Sequence, residues 1–197
     1  MRHKEGDKFN AILDAAIKVF RKDGFAGAQV AAIAKQADVA TGSVYLYFAN
    51  KDAVLDGVFD RFWLPLLDEM EVLDQSSPQE FLRAQLGLFF DRLSEQRDLA
   101  EVYLREHHHY LEHHSAKGYD AYERCVHLGA LVFSKGVKSG VFAKGIEVPL
   151  GRAYVFGGVR AALEFWLGQS ALSARQVRNR MLRLTMASLI HAAEDDL

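Results

Sequence analysis

The stretch Gly24–Leu55, GFAGAQVAAIAKQADVATGSVYLYFANKDAVL, decides the reading of the whole chain. Val30, Ile33 and Ala34 recur at helical spacing and define one apolar face of a short helix over Gln29–Ala37. Asp38-Val39-Ala40 makes a tight link, and a second short helix follows over Thr41–Phe48. Two short helices joined by such a turn form a helix-turn-helix. Asn50 is placed to cap the next helix, because its side-chain oxygen can accept from the exposed amides near Asp52 and Ala53.

Outward toward the N-terminus, Phe9, Ile12, Leu13, Ala16, Val19 and Phe20 form a single stripe, with Asp14, Lys18 and Arg21 mostly outside it. Gly24 then offers the positive-φ residue on which helices commonly stop. In the other direction a long helix is expected over Lys51–Leu73, kinked at Pro65 by the missing backbone donor. Ser77 and Pro78 read as cap and first position of a helix reaching about Gln96. Further helices are expected over Leu99–His114, Tyr119–Ser139, Pro149–Gly168 and Ser173–Ala193, with breaks at Gly140, Gly145–Pro149 and Gly168. The chain is therefore read as all-α, with about nine helices. Residues 1–50 would form a three-helix helix-turn-helix domain, 51–73 a connecting helix, and 74–197 a helical ligand-binding and dimerisation domain.

Half of the 197 residues are hydrophobic, enough for a sizeable core and too many for a disordered chain. Lys plus Arg number 24 against 26 acidic residues, so attraction to a polyanion has to come from local placement. Residues 1–51 carry eight Lys/Arg and five Asp/Glu, a formal +3, which leaves −5 for the remainder. The single cysteine, Cys125, excludes an intramolecular disulfide framework and reads as a buried, inert thiol. No apolar run is long enough to span a bilayer and the first ten residues are too polar for a signal peptide, so a cytoplasmic protein is expected.

Catalytic signatures are missing: there is no GxSxG elbow, no phosphate-binding glycine loop and no HExxH, and Gly157-Gly158 suits close helix packing. The expectation is a non-enzyme without a cofactor. Glu106-His107-His108-His109 and Glu112-His113-His114 gather five histidines and two carboxylates, but only one Glu-x-x-His pair occurs where a di-metal bundle site needs two. No metal site is assigned. A helical ligand- or metal-binding protein that uses segment 107–114 is the competing reading.

Gly24-Phe25, Val30-x-x-Ile33-Ala34, Val39, Gly42, the run Tyr45-Leu46-Tyr47-Phe48 and Asn50-Lys51 all fall in one register, and that register resembles the DNA-binding domain of the TetR family of repressors. The resemblance implies a cytoplasmic homodimer that binds double-stranded operator DNA and responds to a small-molecule effector. The chain departs from the family pattern at Asp38, where glycine is usual, at Ala40, where a hydroxyl is frequent, and at Ala49, where a basic residue is. Thr41 is expected to take over capping from Ala40, moving the helix start by one residue, and Asp38 to take a left-handed conformation.

In this reading the second short helix enters the major groove. Gly42 allows close backbone approach, Thr41, Ser43 and Tyr45 face base edges, and Tyr47 reaches a phosphate. Lys51 is assigned as a phosphate clamp, with Gln29 in a similar role at the start of its own helix.

Beyond residue 60, Leu131–Gly140 and Ala153–Trp166 are similar to the fatty-acid-degradation repressors of the same family, which implies a long-chain acyl-CoA as effector. Aromatic residues are plentiful there. Phe89, Phe90, Tyr103, Phe133, Phe156 and Trp166 are expected to line an apolar pocket, with His107, Tyr110 and Arg160 orienting the guest. Pro149–Gly168 and Ser173–Ala193 carry small residues beside Val159, Leu163, Met181, Leu184 and Leu189, a surface suited to a four-helix bundle with a second copy.

Overall fold

The computed structural model describes residues 2–115, 120–168 and 171–190, with side chains left out for 2–6, 111–115 and Tyr122 and Asp120. Among the described residues it contains nine α-helices and no strand: α1 (Arg2–Gly27), α2 (Val30–Gln36), α3 (Thr41–Tyr45), α4 (Lys51–Glu71), α5 (Pro78–Ser94), α6 (Arg97–Ser115), α7 (Asp120–Lys138), α8 (Val148–Gly168) and α9 (Ala174–Ile190).

Local chemistry explains most boundaries. Gly24 takes φ 70 and ψ 166, breaking α1 before one last turn. Asp38 sits at φ 55, the left-handed conformation expected of it, which a short polar side chain tolerates better than most. The expected transfer of the cap to Thr41 does not occur. Ala40 is the N-cap of α3, in extended conformation and with no side-chain bond, so Thr41 is already helical and its hydroxyl is not spent on capping. Asn50 Oδ1 accepts from Ala53 N at 2.8 Å and starts α4, which runs on through Pro65 as one helix. Ser77 caps α5 by accepting from Glu80 N, with Pro78 in the first turn. Gly140 and Gly145 take positive φ where breaks were expected.

The chain divides into two compact units. The first comprises Met1–Leu64 and Asp98–Gly118, and so contains α1 to α3, the first part of α4 and nearly all of α6. Its core is built from Ile12, Leu13, Ala16 and Phe20 of α1, Ile33 and Val44 of the short helices, and Val54, Leu55 and Phe59 of α4, all within 1% of complete burial. Tyr103 and Tyr110 of α6 set their rings edge-on to Phe59, at 6.2 and 4.6 Å between centroids. Boundaries at 50 and 73, expected from the sequence, do not coincide with this division, because α6 returns to the first unit.

The second unit comprises Pro65–Arg97 and Tyr119–Leu197. Here α5 lies against α7, α8 and α9, and α8 against α7 and α9. Phe81, Phe89, Phe90, Val132, Phe133 and Val159 are fully buried between these helices. After α7 the chain folds back sharply: the amides of Val141 and Phe142 both donate to Gly136 O at 3.0 Å, which lays the Phe142 ring on Gly136. A Cβ on Gly136 would stand 2.1 Å from that ring. Gly136→Ala is therefore expected to destabilise the protein by roughly 1–3 kcal/mol despite the better helix propensity of alanine. Chemical denaturation measures this, and a raised midpoint would mean that the ring has room to swing aside.

Candidate nucleic-acid interface and effector cavity

Val44 and Phe48, one helical turn apart, point into the first unit's core, and Phe48 stacks on Phe9 at 5.2 Å. This anchoring turns the opposite face of α3 outward. Thr41 and Gly42 are exposed, Ser43 is half-buried, and Tyr45 is 53% exposed. Tyr47 is half-buried with its ring edge-on to Phe9 at 6.1 Å. Gln29 is exposed at the N-cap of α2 and makes no capping bond. The residues singled out on and before α3 thus share an outward surface, with one addition: Leu46, 83% exposed. Helical period alone could have found it, since burying positions 44 and 48 leaves 45 and 46 outside.

Lys51 is placed differently from the clamp expected of it. Its Nζ donates to three carbonyls, Phe25 O at 2.6 Å, Ala28 O at 3.0 Å and Ala26 O at 3.3 Å, and lies 4.5 Å from the centroid of the Phe25 ring. An ammonium has three N–H donors, so a phosphate would compete with the end of α1 for them. The same break is satisfied from the other side. Glu106, a buried carboxylate of α6, accepts from Phe25 N at 3.0 Å. Around them Arg21 pairs with Asp98 and Glu101, Arg105 donates to Arg21 O, and His109 stacks on Phe25 at 4.3 Å with its Nε2 3.1 Å from Asp52.

Tyr103, His107 and Tyr110 belong to the first unit, where Tyr103 also faces Trp63 at 6.4 Å and His107 at 4.7 Å. The amphipathic pattern of α6 shows that one face is buried but not against what. Of the histidine segment, no group of three metal-ligating side chains forms among the described residues, and Glu112, His113 and His114 lie outside those whose side chains are described.

In the second unit, Phe89, Phe133 and Phe156 border a cavity enclosed by Leu67 and Met70 of α4, Leu82, Gln85 and Leu86 of α5, Cys125, Leu128 and Gly129 of α7, and Arg152 and Val155 of α8. Phe90 is fully buried and does not border it. Arg160 and Trp166 are half-buried on α8 and also lie outside its lining; Trp166 faces the Arg97 guanidinium at 5.5 Å. The cavity's free volume is about 20 Å³, roughly one water's worth, far below the several hundred Å³ of ordinary ligand sites. Sequence reasoning missed its two polar members, Gln85 and Arg152. Gln85 was detectable, standing on the apolar stripe Phe81-Leu82-Leu86-Phe89 where nothing polar is expected. Arg152 carried no such signal.

A second, open space of about 650 Å³ lies along α8 and α9, bordered by Tyr154, Gly157, Gly158, Ala161, Phe165, Met181 and Leu184 among others. Tyr154, Phe165 and Leu184, which border it, and Leu150 of α8 expose half or more of their surface, which is unusual for large apolar side chains on two adjacent helices.

A short helix pinned by two buried side chains, with hydroxyls, a phenol and a glycine facing outward, is the arrangement of a DNA-reading helix-turn-helix, and comparison with known proteins agrees. Residues 12–58 match the profile of the bacterial regulatory proteins of the tetR family. Over these residues the chain carries a DNA-binding domain like that of the family. It is similar to the fatty acid metabolism regulator protein of Bacillus subtilis, with 29% identity over 168 residues, 81% of this chain and 84% of that protein. Among solved structures, the transcriptional regulator FadR from Bacillus subtilis in complex with stearoyl-CoA matches with 26% identity and a TM-score of 0.77 over 92% of this chain and 99% of that one. FadR from Bacillus halodurans shares the fold, at 24% identity with a TM-score of 0.77 and the same coverage.

Replacing Lys51 by Met is expected to cost about 1–3 kcal/mol of stability, the usual range for hydrogen bonds to a charged group. It should also leave the slope of log operator affinity against log salt unchanged, whereas loss of a phosphate contact lowers that slope by about one. Urea denaturation and binding titrations at several salt concentrations measure the two effects.

Proposed function

We propose that the protein is a homodimeric repressor that holds a palindromic operator through α3 of each subunit and is released by a long-chain acyl-CoA. The observation that carries the DNA half of this reading is the outward face of α3, where Thr41, Gly42, Ser43 and Tyr45 stand clear of the core that Val44 and Phe48 anchor. Thr41 and Ser43 supply donors and acceptors for base edges, Gly42 lets the backbone approach, and Tyr45 and Tyr47 bring phenols toward base or phosphate. Gln29 adds a phosphate contact from the start of α2.

One such helix reads only a few base pairs, so specificity requires two. Paired subunits would contact successive major grooves about 34–36 Å apart, or somewhat more. The α8–α9 surface supports pairing with a second copy: its exposed side chains are large and apolar, and Gly157, Gly158 and Ala161 allow close helix approach. The part of the expected dimer segment beyond residue 190 lies outside the described residues.

The effector half rests on the likeness to the fatty acid metabolism regulator and on the apolar cavity of the second unit. Filling that cavity with an acyl chain requires its helices or side chains to part, since it is closed in this state. An effector that binds only the parted state draws the population toward it, and operator affinity falls by the difference in binding between the two states.

Mobility-shift titration with a palindrome from the region upstream of the gene tests this reading. Tyr45→Ala is expected to weaken specific binding by about tenfold to a hundredfold, and stearoyl-CoA to release the wild-type complex. Sequence-independent binding unaffected by Tyr45→Ala would refute the α3 assignment. Leu184→Glu, which puts a charge on a side chain 73% exposed in the single chain, is expected to give monomers in sedimentation and to abolish operator binding. A dimer that persists in this variant and in Phe165→Glu would place the interface elsewhere.

A further inference from the structure

The small cavity of the second unit is apolar except at two points, and each carries a buried nitrogen with no hydrogen-bond partner in the protein. Gln85 is 6% exposed, and its Nε2 has no hydrogen-bond partner. The Nε of Arg152 is likewise buried and unpartnered, laid over Gly129, where a Cβ would stand 2.8 Å from it. A buried donor without an acceptor is costly and rare in a folded protein, and two in the wall of one cavity are harder to attribute to chance.

The rest of the lining explains why they remain unpaired. It contains no carboxylate that could accept from them. Cys125, also in the wall, is the only lining group that could become an anion. Part of the residue is accessible by area, but the packing around its sulfur pushes the thiol up to about 11, an effect that the nearby Arg152 charge opposes without overcoming. At neutral pH the thiol is un-ionised. The wall of the cavity therefore holds one amide nitrogen and one guanidinium nitrogen among Leu, Met, Phe and Val side chains. The chemistry that completes it is an oxygen acceptor at the end of a hydrocarbon body.

We propose that Gln85 and Arg152 form the polar end of the effector site and receive the carbonyl oxygen of a long-chain acyl group, with the chain running among Leu86, Phe89, Phe133 and Phe156. This rests on the acyl effector reading above and locates within that site the atoms that tell an acyl group from a plain alkyl chain. The carbonyl can belong to a thioester or to a free fatty acid. In either case two donors that have no partner within the protein gain an acyl oxygen as acceptor in the bound state.

The test uses the full chain and three probes: stearoyl-CoA, its S-octadecyl thioether analogue, which lacks only the carbonyl oxygen, and stearate. Wild-type protein is expected to bind stearoyl-CoA at least about tenfold more tightly than the thioether, the discrimination lost when a site's donors find no acceptor. Gln85→Leu and Arg152→Met should each weaken stearoyl-CoA binding by a similar factor and leave thioether binding nearly unchanged. Because each removes an unsatisfied buried donor, the effector-free variants should unfold at the wild-type temperature or above it. A residue that merely supports packing would give the opposite shift, and a lowered midpoint for both variants would overturn the assignment. Tighter binding of stearate than of stearoyl-CoA, with the same loss in both variants, supports the site and names the free acid as its guest. Unchanged stearoyl-CoA affinity in both variants would overturn the inference while leaving the acyl effector reading intact. No binding of any probe by wild type would remove both.

Discussion

Breaking a helix leaves backbone groups that must find partners, and the first unit is organised around one such break. Gly24 leaves the helical region, freeing the amide of Phe25 and the carbonyls that follow. A buried carboxylate, Glu106, takes the amide, and an ammonium, Lys51, takes three carbonyls. One partner comes from α6 and the other from the first residue of α4, so satisfying the end of α1 fixes the entry of α4 and, through Asn50 and Phe48, the seat of α3. The exposed ion pairs of Arg21 add little by themselves. The buried carboxylate and the fully engaged ammonium matter more, because removing either strands its partners.

Much of this architecture was legible in the sequence for physical reasons. Gly24, Asn50, Ser77-Pro78 and Gly140 mark boundaries through conformational preference or capping, effects confined to a few neighbouring residues. Val44 and Phe48 were identifiable as core, and Tyr45 as surface, because helical period is a local rule. What lay beyond reach was non-local. Aromatic composition is the same for a cavity wall and a packed core, so the sequence could not show that Tyr103 and Tyr110 set their rings against Phe59 in the first unit. Lys51 looked like a phosphate ligand because the sequence shows its position at a helix start and hides the three carbonyls already waiting there. Asp38 is the instructive intermediate case, a residue without glycine's freedom that nevertheless holds φ 55 because the turn demands it.

The proposed effector sets the second unit a complementary problem, to stay folded and yet admit a guest. Its cavity is nearly collapsed, with Phe89, Phe133 and Phe156 in its wall. Collapse protects stability, since an open apolar void forfeits packing on every wall. Gln85 and Arg152 work against it by keeping two donors in an environment that cannot satisfy them. In the proposed mechanism, close packing and unmet polar demand set the balance between two states on which a ligand-controlled regulator depends.

The return of α6 also bears on how the molecule comes into being. Residue 106 supplies the carboxylate beneath residue 25, so the first unit is discontinuous in sequence and closes only by contacts across some eighty intervening positions. During synthesis, the helices that carry the outward face of α3 emerge early, yet their keystone is still inside the ribosome until more than half of the chain has been made. A fragment ending after the helix-turn-helix would contain the whole outward face of α3 and still lack the carboxylate that completes the end of α1. The smallest autonomous form of this reading head is thus far longer than the motif that defines it.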